Sequence, residues 1–95
     1  MKLFIKEISK NQFKIKIIND INTNHTVTLD DDYFNKLTKN KTTKKKLIEF
    51  SFFFLLTKEK NTSILPEFEL EIISKYFPEY EDKVSLWCLE NFSSK

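Results

Sequence analysis

Apolar and polar positions alternate with a period of two over the first part of the chain. Leu3 and Ile5 stand against Lys2, Phe4 and Lys6, the polar triplet Ser9-Lys10-Asn11 follows, and then Phe13, Ile15 and Ile17 alternate with Lys14 and Lys16. This period belongs to strands, and the polar break between them to a hairpin turn. Asp20 to Asn24 forms a second polar turn, after which Val27 and Leu29 alternate with Thr26 and Thr28. A third strand over Asn24 to Leu29 completes a three-stranded antiparallel meander. One of its faces carries His25, Val27 and Leu29, the other Asn24, Thr26 and Thr28.

Beyond Leu29 the period lengthens to that of helices. Asp30-Asp31-Asp32 opens a short helix to Leu37, because an acidic start supplies an N-cap acceptor and suits the helix dipole. Tyr33, Phe34 and Leu37 form its buried side. The polar run Lys39 to Thr43 ends it, and Thr42 or Thr43 caps a second helix that runs to about Lys58. Leu47, Ile48, Phe50, Phe52, Phe53, Phe54, Leu55 and Leu56 leave this second helix almost no polar face, so it is either enclosed by the rest of the domain or shared with another chain. Asn61-Thr62-Ser63 breaks the pattern. A short helix near Glu69 to Tyr76 carries Leu70, Ile73 and Phe77, and Pro78 stops it by pushing the preceding residue out of the helical region. A last helix then places Tyr80, Val84, Trp87 and Cys88 on one face. The pattern predicts a single α+β domain over 1–95: an N-terminal three-stranded antiparallel meander (1–29) covered by three to four helices (30–91), with a frayed tail at 92–95.

Composition narrows the chemistry. With 40% hydrophobic residues and ten Phe among its 95 residues, the chain buries a core without disulfide or metal staples. It contains no Gly, no Ala and no Arg. Without Gly there is no P-loop, dinucleotide-binding fingerprint, nucleophile elbow or standard calcium loop. Without Arg there is no planar fork for bidentate recognition of phosphate or guanine. All three residues use GC-rich codons, so AT-biased coding accounts for their absence. One cysteine, Cys88, and one histidine, His25, exclude both an internal disulfide and a four-ligand Cys/His zinc site, and point to a reducing, cytoplasmic location. The charged N-terminus does not suit a secretion signal, and the apolar run Leu47 to Leu56 falls well short of the ~20 residues that cross a bilayer. A soluble protein with no cofactor is expected.

Charge is distributed unevenly. Residues 36–60 hold eight Lys against two Glu, and residues 66–95 three Lys against seven acids, although the whole chain carries only +2. Lys44, Lys45 and Lys46 occupy the first turn of a helix, where cations oppose the dipole, and with Lys36, Lys39 and Lys41 they make a candidate anion site. The plainer reading is a solvated face neutralised by Asp30 to Asp32. Those three aspartates are better N-caps than metal ligands, since consecutive side chains diverge. Glu67, Glu69, Glu71, Glu79, Glu81 and Asp82 suit a solvated acidic surface better than a hydrolytic carboxylate pair. His25 and Cys88 suit buried structural roles better than a base and nucleophile. The ring hardest to bury is Phe53, which lines up with Lys45, Glu49 and Lys60; exposure of Phe53 or Phe52 marks an interface, and Trp87 near Tyr76 and Tyr80 supplies a second patch.

Two strings carry resemblances. Val27-Thr28-Leu29-Asp30-Asp31-Asp32-Tyr33-Phe34 followed by Thr42-Thr43-Lys44-Lys45-Lys46-Leu47-Ile48-Glu49-Phe50-Ser51 resembles ribbon-helix-helix repressors. The resemblance implies that Asn24, Thr26 and Thr28 face a DNA groove and that the helix start near Thr43 holds a phosphate. Ser51-Phe52-Phe53-Phe54-Leu55-Leu56, Ser63-Ile64-Leu65 and Tyr76-Phe77-Pro78-Glu79-Tyr80 are similar to a family of small uncharacterised bacterial proteins, which implies a bacterial source and no activity. Together these features point to a non-enzymatic protein-protein interaction module that binds a protein partner, or a second copy in a homodimer, through Phe52, Phe53 and Trp87. The alternative is a nucleic-acid-binding regulator that uses Asn24, Thr26, Thr28, Thr43, Lys44, Lys45 and Lys46.

Overall fold

The computed structural model describes residues 1–92. In chain order its elements are β1 (Lys2–Glu7), β2 (Gln12–Ile18), β3 (Thr23–Thr28), α1 (Asp31–Thr38), α2 (Lys44–Lys58), a 3-10 turn (Asn61–Ser63), β4 (Glu67–Glu69), α3 (Ile72–Tyr76) and α4 (Tyr80–Phe92). The class is α+β, as the periodicity implies. β1, β2 and β3 form the antiparallel meander, in a register that sets Leu3 opposite Ile17, Ile5 opposite Ile15, and Ile15 opposite His25. Because side chains alternate, this register gathers Leu3, Ile5, Phe13, Ile15, Ile17, His25 and Val27 on one face. Phe13, Ile15, Ile17, His25 and Val27 are buried there.

The sheet has four strands rather than three. β4 pairs parallel to β3, with Phe68 opposite Val27, so the sheet is mixed and its order is β1-β2-β3-β4. A helix was expected from Glu69, but Glu67-Phe68-Glu69-Leu70 alternates with the strand period and sits beside the unsatisfied edge of β3. Thr26 N–H donates to the Pro66 carbonyl (2.8 Å) and Leu70 N–H to the Thr28 carbonyl (2.9 Å). Pro66 lies just ahead of the strand, where its missing N–H breaks no ladder bond. The return to a parallel neighbour is possible because Leu29 to Pro66, with α1 and α2, supplies a long crossover. The tail also departs from expectation: α4 continues through Phe92, whose ring meets the Trp87 ring edge-on at 5.0 Å. The remaining expected tail residues, 93–95, lie outside the described residues.

Local caps fix the helices. The Asp30 carboxylate accepts from Tyr33 N–H at 2.8 Å, and Thr43 Oγ1 accepts from Lys46 N–H at 3.2 Å, which decides between Thr42 and Thr43 as the second cap. α1 ends with Lys39 and Asn40 in the left-handed region, at φ 52° and 59°. Asn tolerates that region, whereas Lys is strained in it, and a chain without Gly has no unstrained residue to offer.

α2 lies across the inner face of the sheet with Leu47, Ile48, Ser51, Phe52, Phe54 and Leu55 buried. One polar link is enclosed within this layer. Ser51 Oγ lies 2.7 Å from the Leu47 carbonyl and 2.5 Å from Tyr80 Oη. Ser51 has one hydroxyl proton and the carbonyl can only accept, so Ser51 donates to Leu47 and Tyr80 donates to Ser51. Burial pushes the Tyr80 phenol above its usual range, which keeps it a donor.

Two stability outcomes follow. Ser51→Ala strands the buried Tyr80 hydroxyl and costs about 1–3 kcal/mol in urea denaturation, whereas Tyr80→Phe leaves Ser51 bonded to Leu47 and costs less. Lys39→Gly relieves the left-handed strain and raises the midpoint by the equivalent of about 1 kcal/mol.

Candidate functional site

The three aromatic residues expected at an interface separate by exposure. Phe52 is fully buried, with its ring 5.6 Å from His25 and 6.0 Å from Phe68, and is therefore a core residue and not a partner contact. Its position on α2 aims it at the sheet. Phe53, one residue on and about 100° further round the helix, is 47% exposed. Trp87 is half-buried: it stacks on Phe50 at 4.7 Å and closes the α2–α4 seam. Leu86 and Leu89 on α4 are also exposed.

The expected anion site does not assemble. Lys44 Nζ lies 2.8 Å from Asp31 and 2.9 Å from Asn11 Oδ1, and its side chain is only 15% exposed, so it serves as a tie between α2, α1 and the β1–β2 turn. Hydrogen bonds from Lys44 and then Lys10 hold the Asp31 carboxyl below the usual carboxylate range. A carboxylate so lowered keeps this tie intact above its unfolded value and loses it only as pH falls through the depressed one. Thr43 Oγ1 is spent on its cap. Lys45 and Lys46 remain exposed, the latter with Nζ 5.5 Å from the centre of the Phe92 ring. Asn24, Thr26 and Thr28 project from the other side of the sheet. β3 is bonded to β2 along one edge and β4 along the other, so the free edge on which a ribbon-helix-helix strand meets its twin is already taken.

The basic and acidic stretches of the chain meet in the fold. Lys58 bonds Glu79 at 2.9 Å, and Lys36 lies 4.0 Å from Glu81, which also accepts from the Tyr33 hydroxyl at 2.8 Å. His25 and Cys88 stay apart in function. Both His25 nitrogens are engaged, Nδ1 with the Leu65 carbonyl and Nε2 with Thr23 Oγ1, each at 2.8 Å. A carbonyl only accepts, so Nδ1 carries the proton. Burial pushes the Cys88 thiol up, away from a reactive thiolate.

The sequence did not indicate the cleft beside β4. A cleft of about 340 Å³ opens between the end of α2, the segment after the 3-10 turn, and α3, with Leu55, Leu65, Phe68, Ile72 and Tyr76 among its walls. Leu65 is 45% and Tyr76 65% exposed at its mouth. A second groove shares Leu65, Phe68, Ile72 and Tyr76 and continues along β4 past Glu67, Glu69 and Glu71. Pro66 and Leu70 bond β3 at the two ends of this ladder; strand alternation turns the backbone N–H and C=O of Glu67 and Glu69 to the free edge. The acidic rim is Glu59, Glu67, Glu69 and Glu71, with Lys75 the cation beside it.

The wall formed by the 61–66 segment is held rigidly. Asn61 Nδ2 donates to the Ile21 carbonyl (2.8 Å) and to Thr23 Oγ1 (2.9 Å), Thr23 donates to His25, and His25 donates to Leu65. The signal for this region was the alternation in Glu67 to Leu70 after a proline. Among the described residues no group of three or more His, Cys, Asp or Glu is placed to hold a metal ion, and no helix is long and apolar enough to cross a membrane.

No protein-family model, no curated protein and no solved structure matches the chain.

The two adjacent phenylalanines give a direct check on the α2 assignment. Phe52→Asp buries an unpaired charge and abolishes cooperative thermal unfolding by circular dichroism, whereas Phe53→Asp keeps the melting temperature within a few degrees of the parent.

Proposed function

We propose that this protein is a non-enzymatic, cytoplasmic interaction module that takes up an extended segment of another protein along β4 and in the adjoining cleft. The observation that carries this reading is the juxtaposition of an apolar cleft with a strand edge whose backbone groups face outward. An extended segment added to β4 gains main-chain hydrogen bonds from Glu67 and Glu69, while its alternate side chains enter the apolar cleft. The volume of about 340 Å³ lies within the range of small ligand pockets and takes one or two apolar side chains. The acidic rim selects for Lys or Arg beside those anchors and disfavours acidic segments. A three-residue edge with two Glu is also poorly suited to pairing with its own twin, which keeps it available to a partner of opposite charge. A homodimer through α2 is the second reading, favoured by the exposed Phe53 next to the Phe50–Trp87 stack.

Selection of a random peptide library on the immobilised protein tests both. The expected outcome is enrichment of peptides that combine Lys or Arg with alternating apolar residues, with binding lost on Ile72→Asp or Glu69→Lys and kept on Phe53→Asp. Enriched peptides that ignore the Ile72 and Glu69 variants, or no enrichment at all, overturn the cleft reading. Light scattering that reports a dimer dissociated by Phe53→Asp supports the second.

A further inference from the structure

The face of the sheet opposite the helices is uncovered, and its side chains have a definite layout. Alternation puts Lys2, Phe4 and Lys6 of β1 on that face with Lys14, Lys16 and Ile18 of β2, then Asn24, Thr26 and Thr28 of β3, and Glu67 and Glu69 of β4. Phe4 is 55% exposed. In the register it stands directly opposite Lys16, with Lys2 and Lys6 two residues away on its own strand and Lys14 on the diagonal. All four lysines are exposed, and none of the ion pairs among the described residues engages them. Lys6 stands directly opposite Lys14, an arrangement that repels across a ladder. A sheet that places like charges face to face around an exposed ring breaks a local rule, and such breaks gather at functional sites.

We propose that this face binds single-stranded nucleic acid. Four unpaired cations supply the attraction for a polyanion, and Phe4 among them supplies a ring on which a base stacks. The ring separates this surface from a plain anion patch. Successive outward side chains on β1 lie about 6.8 Å apart, so Lys2, Phe4 and Lys6 present cation, ring and cation along one extended track. Asn24 and Thr26, adjacent to Lys16 and Lys14, add neutral hydrogen-bonding groups, and Glu67 bounds the track beyond Thr26. With Lys in place of Arg and one ring, the recognition is of the strand and not of its sequence. The apolar wall of the β4 cleft lies on the other side of the same sheet, and Glu67 and Glu69 form the border that the two surfaces share. The basic face differs from the lysines of the α2 start, one of which is spent on Asp31.

Fluorescence anisotropy with a short fluorescein-labelled oligodeoxythymidylate tests the assignment. The expected result is binding that weakens with salt with a log–log slope of about −3, as four neutralised phosphates on a single strand require. Phe4→Ala weakens it about ten-fold, Lys14→Glu with Lys16→Glu abolishes it, and Lys45→Glu with Lys46→Glu leaves it unchanged. These side chains are exposed, and circular dichroism confirms that each variant is folded. Equal affinity for poly-glutamate, for duplex of the same length or for anionic phosphatidylserine vesicles overturns the proposal. Binding indifferent to Phe4→Ala, or no binding of the oligonucleotide at low salt, overturns it too.

Discussion

The structure depends on one part-buried hydrogen-bond chain, from Asn61 through Thr23 and His25 to the Leu65 carbonyl. After α2 the chain has to return to the sheet, and the connection from Glu59 to Pro66 carries few apolar side chains with which to hold itself in place. Asn61 and His25 do that work with polar groups, at 3% and 2% exposure. Each donor in the chain meets an acceptor, so the cost of burying polar groups is offset, and the same low dielectric makes the chain expensive to break. Once Leu65 is fixed, Pro66 falls within reach of Thr26 and Phe68 beside Val27. β4 follows from that placement, and the cleft follows from β4.

The same constraint organises the core. Phe52 rests against both His25 and Phe68, so the ring at the centre of α2 spans the meander and the added strand. Phe54 meets Phe77 and Tyr80 on the other flank and joins α2 to α3 and α4. A helix with apolar residues nearly all round is thus used on three sides, by the sheet, by α4 and by the cleft wall. Only Phe53 is left over. The aromatic excess of the sequence is a consequence of small size: one helix has to serve as the hydrophobic partner of every other layer.

Charge is arranged by layer. Three lysines of the Lys-rich stretch 36–60 are met by acids, Lys44 by Asp31 of α1, Lys36 by Glu81 of α4 and Lys58 by Glu79 just ahead of α4. The outer sheet face carries a charge pattern of its own, basic at β1 and β2 and acidic at β4. This gradient runs across the strands rather than along the sequence, and it puts a basic surface and an acidic rim on one small domain. The two support binding to partners of opposite charge at opposite edges of the sheet.

Local chemistry was enough to fix much of this protein. Period-two alternation placed β1, β2 and β3 and sorted their faces, the aspartates from Asp30 and the Thr42-Thr43 pair marked helix starts, and Pro78 marked a stop. These are short-range effects, decided by neighbours within one or two turns. The sequence pointed to Phe53 as the ring hardest to bury but kept Phe52 beside it as an interface candidate, because a helix that is apolar nearly all round has no sharp phase until something packs against it. Tertiary structure chose Phe53 by placing the sheet against Phe52. The alternation in Glu67 to Leu70 was compatible with strand or helix until the His25 network brought it beside β3. The lysines flanking Phe4 were each visible as alternating polar positions, yet their convergence on one face required the register of β1 on β2. Sequence determines the period of each segment, and only the pairing of segments distant along the chain decides which side chains share a surface.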